Sequence, residues 1–165
     1  MQELLPLAHD VAALLTERRQ TLAVAESSAG GLIAASLLAV PGASAYFLGG
    51  AVIYTREARR ALLGITDEAM KGLRSSSEPY AALLAETVRL RHGAVWGLAE
   101  TGAAGPTGNR YGDNAGHACL AINGPNGSPS ATVWTIEIGG TDRLANMRRF
   151  ASEALLGLAA GLRRV

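Results

Sequence analysis

The sequence predicts an α/β domain of three layers, an α/β/α sandwich with a mixed, largely parallel sheet and a C-terminal helix. Three observations support this class. Short apolar strands alternate with amphipathic helices over the first hundred residues, two strands separated by turn residues follow, and a long helical pattern ends the chain. With 165 residues, 48% of them apolar, the chain fits a single domain over residues 1–165.

Hydrophobic periodicity defines the elements of the first half, and breaker residues such as Pro41-Gly42 and Gly64 separate them. Pro6 is compatible with the first helix because it falls in the first turn. In order, these predicted elements are a helix over residues 3–19, a strand over Thr21–Ala25, a helix over 32–40, a strand over Ala51–Thr55 and a helix over Arg56–Leu63.

Hydrophobic periodicity also defines the elements of the second half of the chain. Ser77 and Pro79 are the expected cap and first-turn residues of its long helix. The turn residues Asn123–Gly127 indicate that the last two strands form a hairpin. The predicted elements are a capped segment from Thr66 that includes Lys71 in a connecting helix, a helix over Glu78–Arg91, strands over Ala94–Ala99, His117–Ile122 and Ala131–Ile138, and a helix from about Thr141.

The charge composition excludes several partners. Fourteen of the 15 basic residues are arginine and Lys71 is the single lysine, with a formal net charge of +1 and no basic run, so nucleic acid is not the expected partner. No uncharged apolar stretch reaches the roughly 18 residues that a membrane span needs. One cysteine, Cys119, and no leader-like segment favour a reducing, cytoplasmic setting.

Three polar segments follow predicted strands: residues 26–31, residues 54–59 and the glycine-rich stretch from Thr101. Ligands of open α/β sheets bind outside the carboxyl ends of strands, so we expect these segments to line one pocket. In the first of them, Ser27 or Ser28 lies before a helix whose free N–H groups could hold an anion or an oxyanion, with Gly30 and Gly31 allowing close approach. A serine there is also a common N-cap.

The motifs exclude two well-known machineries. The serine segment lacks the Gly-x-Ser-x-Gly pattern of the hydrolase nucleophile elbow. None of the glycine clusters has the Gly-x4-Gly-Lys-Ser/Thr pattern of a phosphate-binding loop.

Several blocks in register resemble the C-terminal domain of the competence/damage-inducible CinA proteins, a family that includes nicotinamide-nucleotide amidases. The resemblance covers nearly the whole chain. The blocks are Ala25-Glu-Ser-Ser-Ala-Gly-Gly-Leu-Ile33, Val40-Pro-Gly-Ala-Ser-Ala-Tyr-Phe47, Gly50-Ala-Val-Ile-Tyr54 with Glu57-Ala58 and Leu63-Gly64, Ser77-Glu-Pro79, Thr101-Gly-Ala-Ala-Gly-Pro106 and Asp142-Arg143.

The resemblance implies a serine amidohydrolase that deamidates nicotinamide mononucleotide, with no cofactor and no metal, in a homo-oligomer. By motif position, Ser27 would be the nucleophile, and Tyr54 and Thr101 would lie nearby. Arg143 would be a candidate for binding the phosphate of the nucleotide substrate. Gly102 and Gly105 would be further substrate-binding residues.

The chain departs from that family at three positions: Ser28-Ala29 replaces the usual Cys-Thr, and Arg59 replaces the usual lysine, which is thought to be the base. A guanidinium cannot take the Ser27 proton near neutral pH, although it could hold a phosphate or a carboxylate. His117 titrates in the useful range and could replace the base if it faces the pocket, or it could be a satisfied structural histidine.

Two further features are distinctive. Within residues 107–116, Arg110 could clamp a phosphate and Tyr111 could stack on a heteroaromatic ring, unless this stretch is only a mobile surface loop. We expect Glu26 to anchor the turn and Glu100 to pair with an arginine.

Three functions remain open from the sequence. The first is amide hydrolysis by Ser27, and the second is nucleotide binding without hydrolysis because of Arg59. The third is hydrolysis of another substrate with His117 as the base.

Overall fold

The computed structural model describes residues 1–125 and 132–164. Its helices and strands follow the predicted order, with a short 3-10 turn at Ala43–Ala45. The helices are α1 (Leu5–Glu17), α2 (Leu32–Leu38), α3 (Arg56–Leu63), α4 (Glu78–His92) and α5 (Arg143–Arg163), and the strands are β1 (Leu22–Glu26), β2 (Phe47–Val52), β3 (Trp96–Ala103), β4 (His117–Asn123) and β5 (Thr132–Glu137).

The strands form one mixed sheet in the order β2-β1-β3-β4-β5. Strand β1 pairs in parallel with β2 and β3, whereas β4 is antiparallel to both β3 and β5. The late strands are thus adjacent and antiparallel, as expected of a hairpin, although part of the predicted turn at Asn123–Gly127 and the predicted strand residue Ala131 lie outside the described residues.

Helices cover both faces of the sheet, which confirms the three-layer prediction. One hydrophobic cluster joins α1, α2 and α5 to one face, and a second joins α4 and the end of α3 to the other. Every residue of β1 and β4 is buried. Within the described residues, no helix combines the length and the apolarity needed to cross a bilayer.

Strand β2 begins earlier than predicted, at Phe47 rather than Ala51. Gly49 and Gly50 have low strand propensity, but the parallel partner β1 holds them in register. A Cβ on Gly49 would lie 2.7 Å from Nε2 of His92, so a larger residue there would displace the His92 ring at the end of α4. Tyr54 and Thr55 consequently lie beyond the strand, and the Thr55 hydroxyl caps α3.

Two other segments differ from prediction. Strand β3 continues to Ala103, because β4 pairs with Glu100 to Ala103 in antiparallel register. The segment from Thr66 has the predicted cap, in which the Ala69 N–H donates to Oγ1, but only turns follow it. Lys71 therefore lies in a turn rather than in a connecting helix.

Candidate functional site

A cavity of about 500 Å3 lies beyond the carboxyl ends of β1, β2 and β3, where the parallel pairing brings these ends to one edge of the sheet. Its size is typical of small-molecule sites. Seven of the predicted site residues line it, namely Ser27, Tyr54, Arg59, Thr101, Gly102, Arg110 and Tyr111. Six others are not among its lining residues, namely Ser28, Gly30, Gly31, Gly105, His117 and Arg143.

The loop that carries Ser27 is fixed from beneath by the fully buried carboxylate of Glu100. The Ser27 N–H donates to Oε2 of Glu100 at 3.0 Å, and the Ala29 N–H donates to the same oxygen at 2.8 Å. The Ser28 hydroxyl donates to Oε1, which explains why Ser28 is buried and does not reach the cavity. Burial raises the pKa of Glu100, and these donors counter the rise.

A second buried carboxylate, Glu26, anchors the start of α2, as predicted. Its Oε2 accepts the N–H groups of Gly31 at 2.9 Å and Ile33 at 3.1 Å, and its Oε1 accepts that of Ala34 at 2.9 Å. The N–H groups that we expected to hold a ligand anion therefore bind carboxylates of the protein itself. Burial raises the pKa of Glu26 to about 7, against these opposing donors.

Gly30 and Gly31 are not among the residues that line the cavity, so their substrate-binding role stays a prediction. A Cβ on Gly30 would lie 2.6 Å from Cε of Met147 in α5. Both glycines have positive φ, 67° at Gly30 and 96° at Gly31, a backbone conformation that side chains disfavour.

We expect Glu26 to make the free energy of unfolding fall by about 2 kcal/mol between about pH 5 and pH 7. The folded chain keeps a proton on Glu26 that the unfolded chain, with an ordinary carboxyl pKa, has already released, so rising pH favours unfolding. Urea denaturation at several pH values measures this slope. Glu26→Gln should flatten it and Glu17→Gln, at an exposed position, should not; equal slopes in all three proteins would contradict the assignment.

Arg59 is buried at the wall of the cavity and is held in place by Asp67. Its Nη2 donates to Oδ1 of Asp67 at 2.7 Å, and its Nε donates to the carbonyl of Ile65 at 3.3 Å. A guanidinium in an ion pair stays protonated, so Arg59 contributes charge and structure here but no base.

His117 does not face the cavity, contrary to the expectation that it could serve as a base. Its Nε2 lies 3.1 Å from the carbonyl oxygen of Ser76, and its Nδ1 lies 2.5 Å from Oε1 of Glu137. Both ring nitrogens are therefore engaged by oxygen atoms, one from the segment that precedes α4 and one from the end of β5. The alternative of a structural histidine fits these contacts.

Thr101 lines the cavity, but its side chain also has a structural partner. Its Oγ1 accepts the N–H of Ser76 at 3.3 Å, and Ser76 has a φ of 55°, which is unusual outside glycine. Thr101 and His117 thus hold opposite backbone groups of Ser76 and fix the 75–76 segment in the cavity wall.

Arg143 fixes a wall residue instead of lining the cavity. Its Nη1 donates to the carbonyl of Gly105 at 2.6 Å and its Nη2 donates to the hydroxyl of Tyr54 at 3.2 Å. In this structure Arg143 thus positions Tyr54, and its phosphate-binding role stays a prediction. Gly105 supplies this carbonyl from a left-handed backbone conformation, with φ at 105°.

The chemistry of the lining favours an anionic ligand with an aromatic group. Three arginines, Arg56, Arg59 and Arg110, face a single carboxylate, Asp67, among the lining residues. Three tyrosines also contribute, namely Tyr54, Tyr80 and Tyr111. Burial raises the pKa of Tyr80, which keeps that phenol neutral.

Sequence reasoning missed Glu100 as the support of the Ser27 loop, since we expected it to pair with an arginine. It also missed Asp67 and Ser76. Glu100 was detectable in principle, because a charged residue within an apolar strand needs a buried partner. Asp67 and Ser76 had no such signal, because they lie in polar connecting segments whose folding depends on distant contacts.

The fold and the cavity define a class of α/β/α domains with a cavity at the carboxyl ends of parallel strands. A family model for the CinA C-terminal domain matches residues 4–162, so the chain belongs to that family. A CinA-like protein from Chlorobium limicola is 38% identical over 151 residues, covering 90% of this chain and 35% of the relative. Another from a Synechococcus species is 43% identical over 133 residues, covering 81% of this chain and 31% of the relative.

Solved structures agree with the fold. A CinA superfamily protein from Klebsiella pneumoniae has a TM-score of 0.88 at 28% identity, covering 97% of this chain and 98% of that one. A competence/damage-inducible protein from Agrobacterium tumefaciens has a TM-score of 0.86 at 30% identity, covering 96% and 94%. The chain spans about a third of the length of the curated relatives it matches.

Proposed function

We propose that this protein binds a pyridine nucleotide, or a closely related phosphorylated heteroaromatic amide, in the cavity beside Ser27. The observation that carries the proposal is the excess of arginine over carboxylate in the lining, together with its tyrosines. Fixed guanidinium groups favour phosphate, and phenol rings offer faces and edges for a heterocycle. The nucleotide predicted from the sequence carries both of these groups, a phosphate and a heteroaromatic ring.

Hydrolysis of the bound amide by Ser27 is a second candidate, favoured by the position of Ser27. This residue lines the cavity while Glu100 holds its N–H, so a nucleophile at this position would be preorganised. The Ser27 oxygen would attack the carboxamide carbon, and its proton would pass to the amide nitrogen. The C–N bond would then break to release ammonia, and water would hydrolyse the resulting ester to the acid and regenerate the serine.

Binding ranks above hydrolysis because, in the described part of the chain, neither candidate base is placed to accept the proton of Ser27. Arg59 is a protonated partner of Asp67, and His117 is engaged elsewhere. In addition, Glu100 and Glu26 occupy the loop N–H groups that could have stabilised an oxyanion.

One experiment separates the two functions: calorimetric titration with nicotinamide mononucleotide, together with an assay for released ammonia. We expect the wild type to bind the nucleotide without turnover and Ser27→Ala to bind within a few-fold of it. Arg59→Lys supplies an amine that can lose its proton, so it should raise ammonia release about tenfold or more above background. Arg60→Lys, the same change at an exposed position of α3, is the matched control.

The two measurements distinguish hydrolysis from binding without hydrolysis. Ammonia release by the wild type that Ser27→Ala abolishes would establish the hydrolase instead of the binding protein. Failure of the wild type to bind the nucleotide would refute both functions.

A further inference from the structure

Arg110 differs from the other two arginines of the cavity in its charge environment. Arg59 lies 2.7 Å from Oδ1 of Asp67, and Arg56 lies 3.8 Å from Oδ2 of the same residue. Across residues 1–125 and 132–164, Arg110 has no carboxylate within ion-pair distance, and its Nη2 donates instead to the Tyr111 hydroxyl at 2.9 Å. Arg110 therefore carries the cavity charge that no protein carboxylate neutralises.

The segment that carries Arg110, residues 107–113, is a closed and well-bonded loop, which we call the 107–113 loop. The Asn109 N–H donates to the carbonyl of Asp113 at 3.0 Å, and Oδ1 of Asn109 accepts the N–H groups of Tyr111 at 2.9 Å and Asp113 at 3.2 Å. A Cβ on Gly108 would lie 2.1 Å from the Asp113 carbonyl oxygen, so this closure requires a glycine.

Asp113 joins this loop to the rest of the domain. Its carboxylate accepts two hydrogen bonds from Arg74, at 2.5 and 3.0 Å, and one from Asn109 at 2.8 Å. The Asp113 side chain is only 12% exposed, and the hydrogen bonds from Arg74 lower its pKa, so it stays ionised near neutral pH. A two-point arginine–carboxylate pair fixes direction as well as distance.

Tyr111 supports Arg110 directly. The guanidinium carbon of Arg110 lies 5.1 Å from the centre of the Tyr111 ring, and that of Arg74 lies 5.5 Å from it. Cation–π contact and the hydroxyl bond together hold the Arg110 guanidinium at the cavity wall. In this structure the Tyr111 ring thus contacts two arginines, and the stacking of a ligand on it stays a prediction.

We infer that Arg110, positioned by Tyr111 and Asp113, is the residue that makes the cavity select phosphorylated over unphosphorylated ligands. The inference rests on the proposed function, which supplies the ligand class. A phosphate dianion can accept two hydrogen bonds from a guanidinium, and Arg110 meets it without first leaving a carboxylate. A ligand without phosphate gains nothing from this residue.

The test is calorimetric titration of the full chain with nicotinamide mononucleotide and with nicotinamide riboside, which lacks only the phosphate. Arg110→Ala should weaken binding of the mononucleotide about 10- to 100-fold and leave that of the riboside within about twofold. Arg148→Ala, at an exposed position of α5, removes the same charge and should change neither affinity.

The positioning residues have their own signature. Tyr111→Leu and Asp113→Asn should each reduce the preference for the mononucleotide about threefold or more, whereas Tyr111→Phe, which keeps the ring, should retain most of it. An unchanged preference in Arg110→Ala would overturn the inference while the proposed function stands. If the wild type bound neither the mononucleotide nor the riboside, both the proposed function and this inference would be overturned.

Discussion

Glu100→Ala is expected to lower the free energy of unfolding by about 4 kcal/mol, because it leaves several buried donors without acceptors at once. The N–H groups of Ser27 and Ala29 and the hydroxyl of Ser28 all donate to this one carboxylate. Glu100 is fully buried, so bulk water cannot replace the lost oxygens. Urea denaturation monitored by circular dichroism measures the loss.

Two further variants serve as controls for the stability loss in Glu100→Ala. Glu86→Ala, at an exposed position of α4, should cost less than about 0.5 kcal/mol. Glu100→Gln keeps the shape but loses one acceptor, and we expect an intermediate loss. If Glu100→Ala were as stable as wild type, the carboxylate would not be the support of the Ser27 loop.

Gly102→Ala is expected to destabilise the protein by about 3 kcal/mol, because the new methyl group would collide with backbone. A Cβ on Gly102 would lie 2.3 Å from the carbonyl oxygen of His117 and 2.8 Å from the Cβ of Ala118, its partner in β4. Neither atom can move without displacing the β3–β4 ladder. The denaturant concentration at the midpoint of unfolding should therefore fall, while the dependence of the unfolding free energy on denaturant concentration stays the same.

This variant also decides what the glycine is for. Gly140→Ala places its Cβ 3.5 Å from Asn146, an ordinary contact, and should be nearly neutral. A Gly102→Ala protein of wild-type stability that had lost nucleotide affinity would support the predicted substrate-binding role of Gly102. Lower stability with retained affinity in the folded fraction would support the strand-pairing role.

Much of the fold followed from the sequence because local signals agreed with the tertiary arrangement. Helix α3 has the predicted bounds, since Thr55 caps it and Gly64 ends it. Helix α4 begins at the predicted cap Ser77. The gathering of Ser27, Tyr54 and Thr101 at one edge followed from parallel pairing, which brings strand ends together whatever their separation in sequence.

The predictions that the structure did not match concern features that depend on contacts between residues far apart in the sequence. Strand β2 needed its partner to hold two glycines, and Glu100 needed the whole Ser27 loop folded above it. For His117, the sequence could not indicate that Ser76 and Glu137 would engage both ring nitrogens. Residue types near a site were thus predictable, whereas the direction of each side chain required the assembled sheet.

The segment that connects β3 to β4 contributes to the cavity wall, yet it is anchored to the sheet at both of its ends. The Gly116 N–H donates to the Ala103 carbonyl at 2.8 Å, so the connecting segment leaves and re-enters the sheet at adjacent positions. Its inner loop closes through its own Asn109–Asp113 bond. Exchanges at Arg110 and Tyr111, which leave Gly108, Asn109 and Asp113 in place, are therefore expected to alter the cavity wall while the strand register stays the same. Under the proposed function, these two positions are where ligand selectivity would change separately from folding.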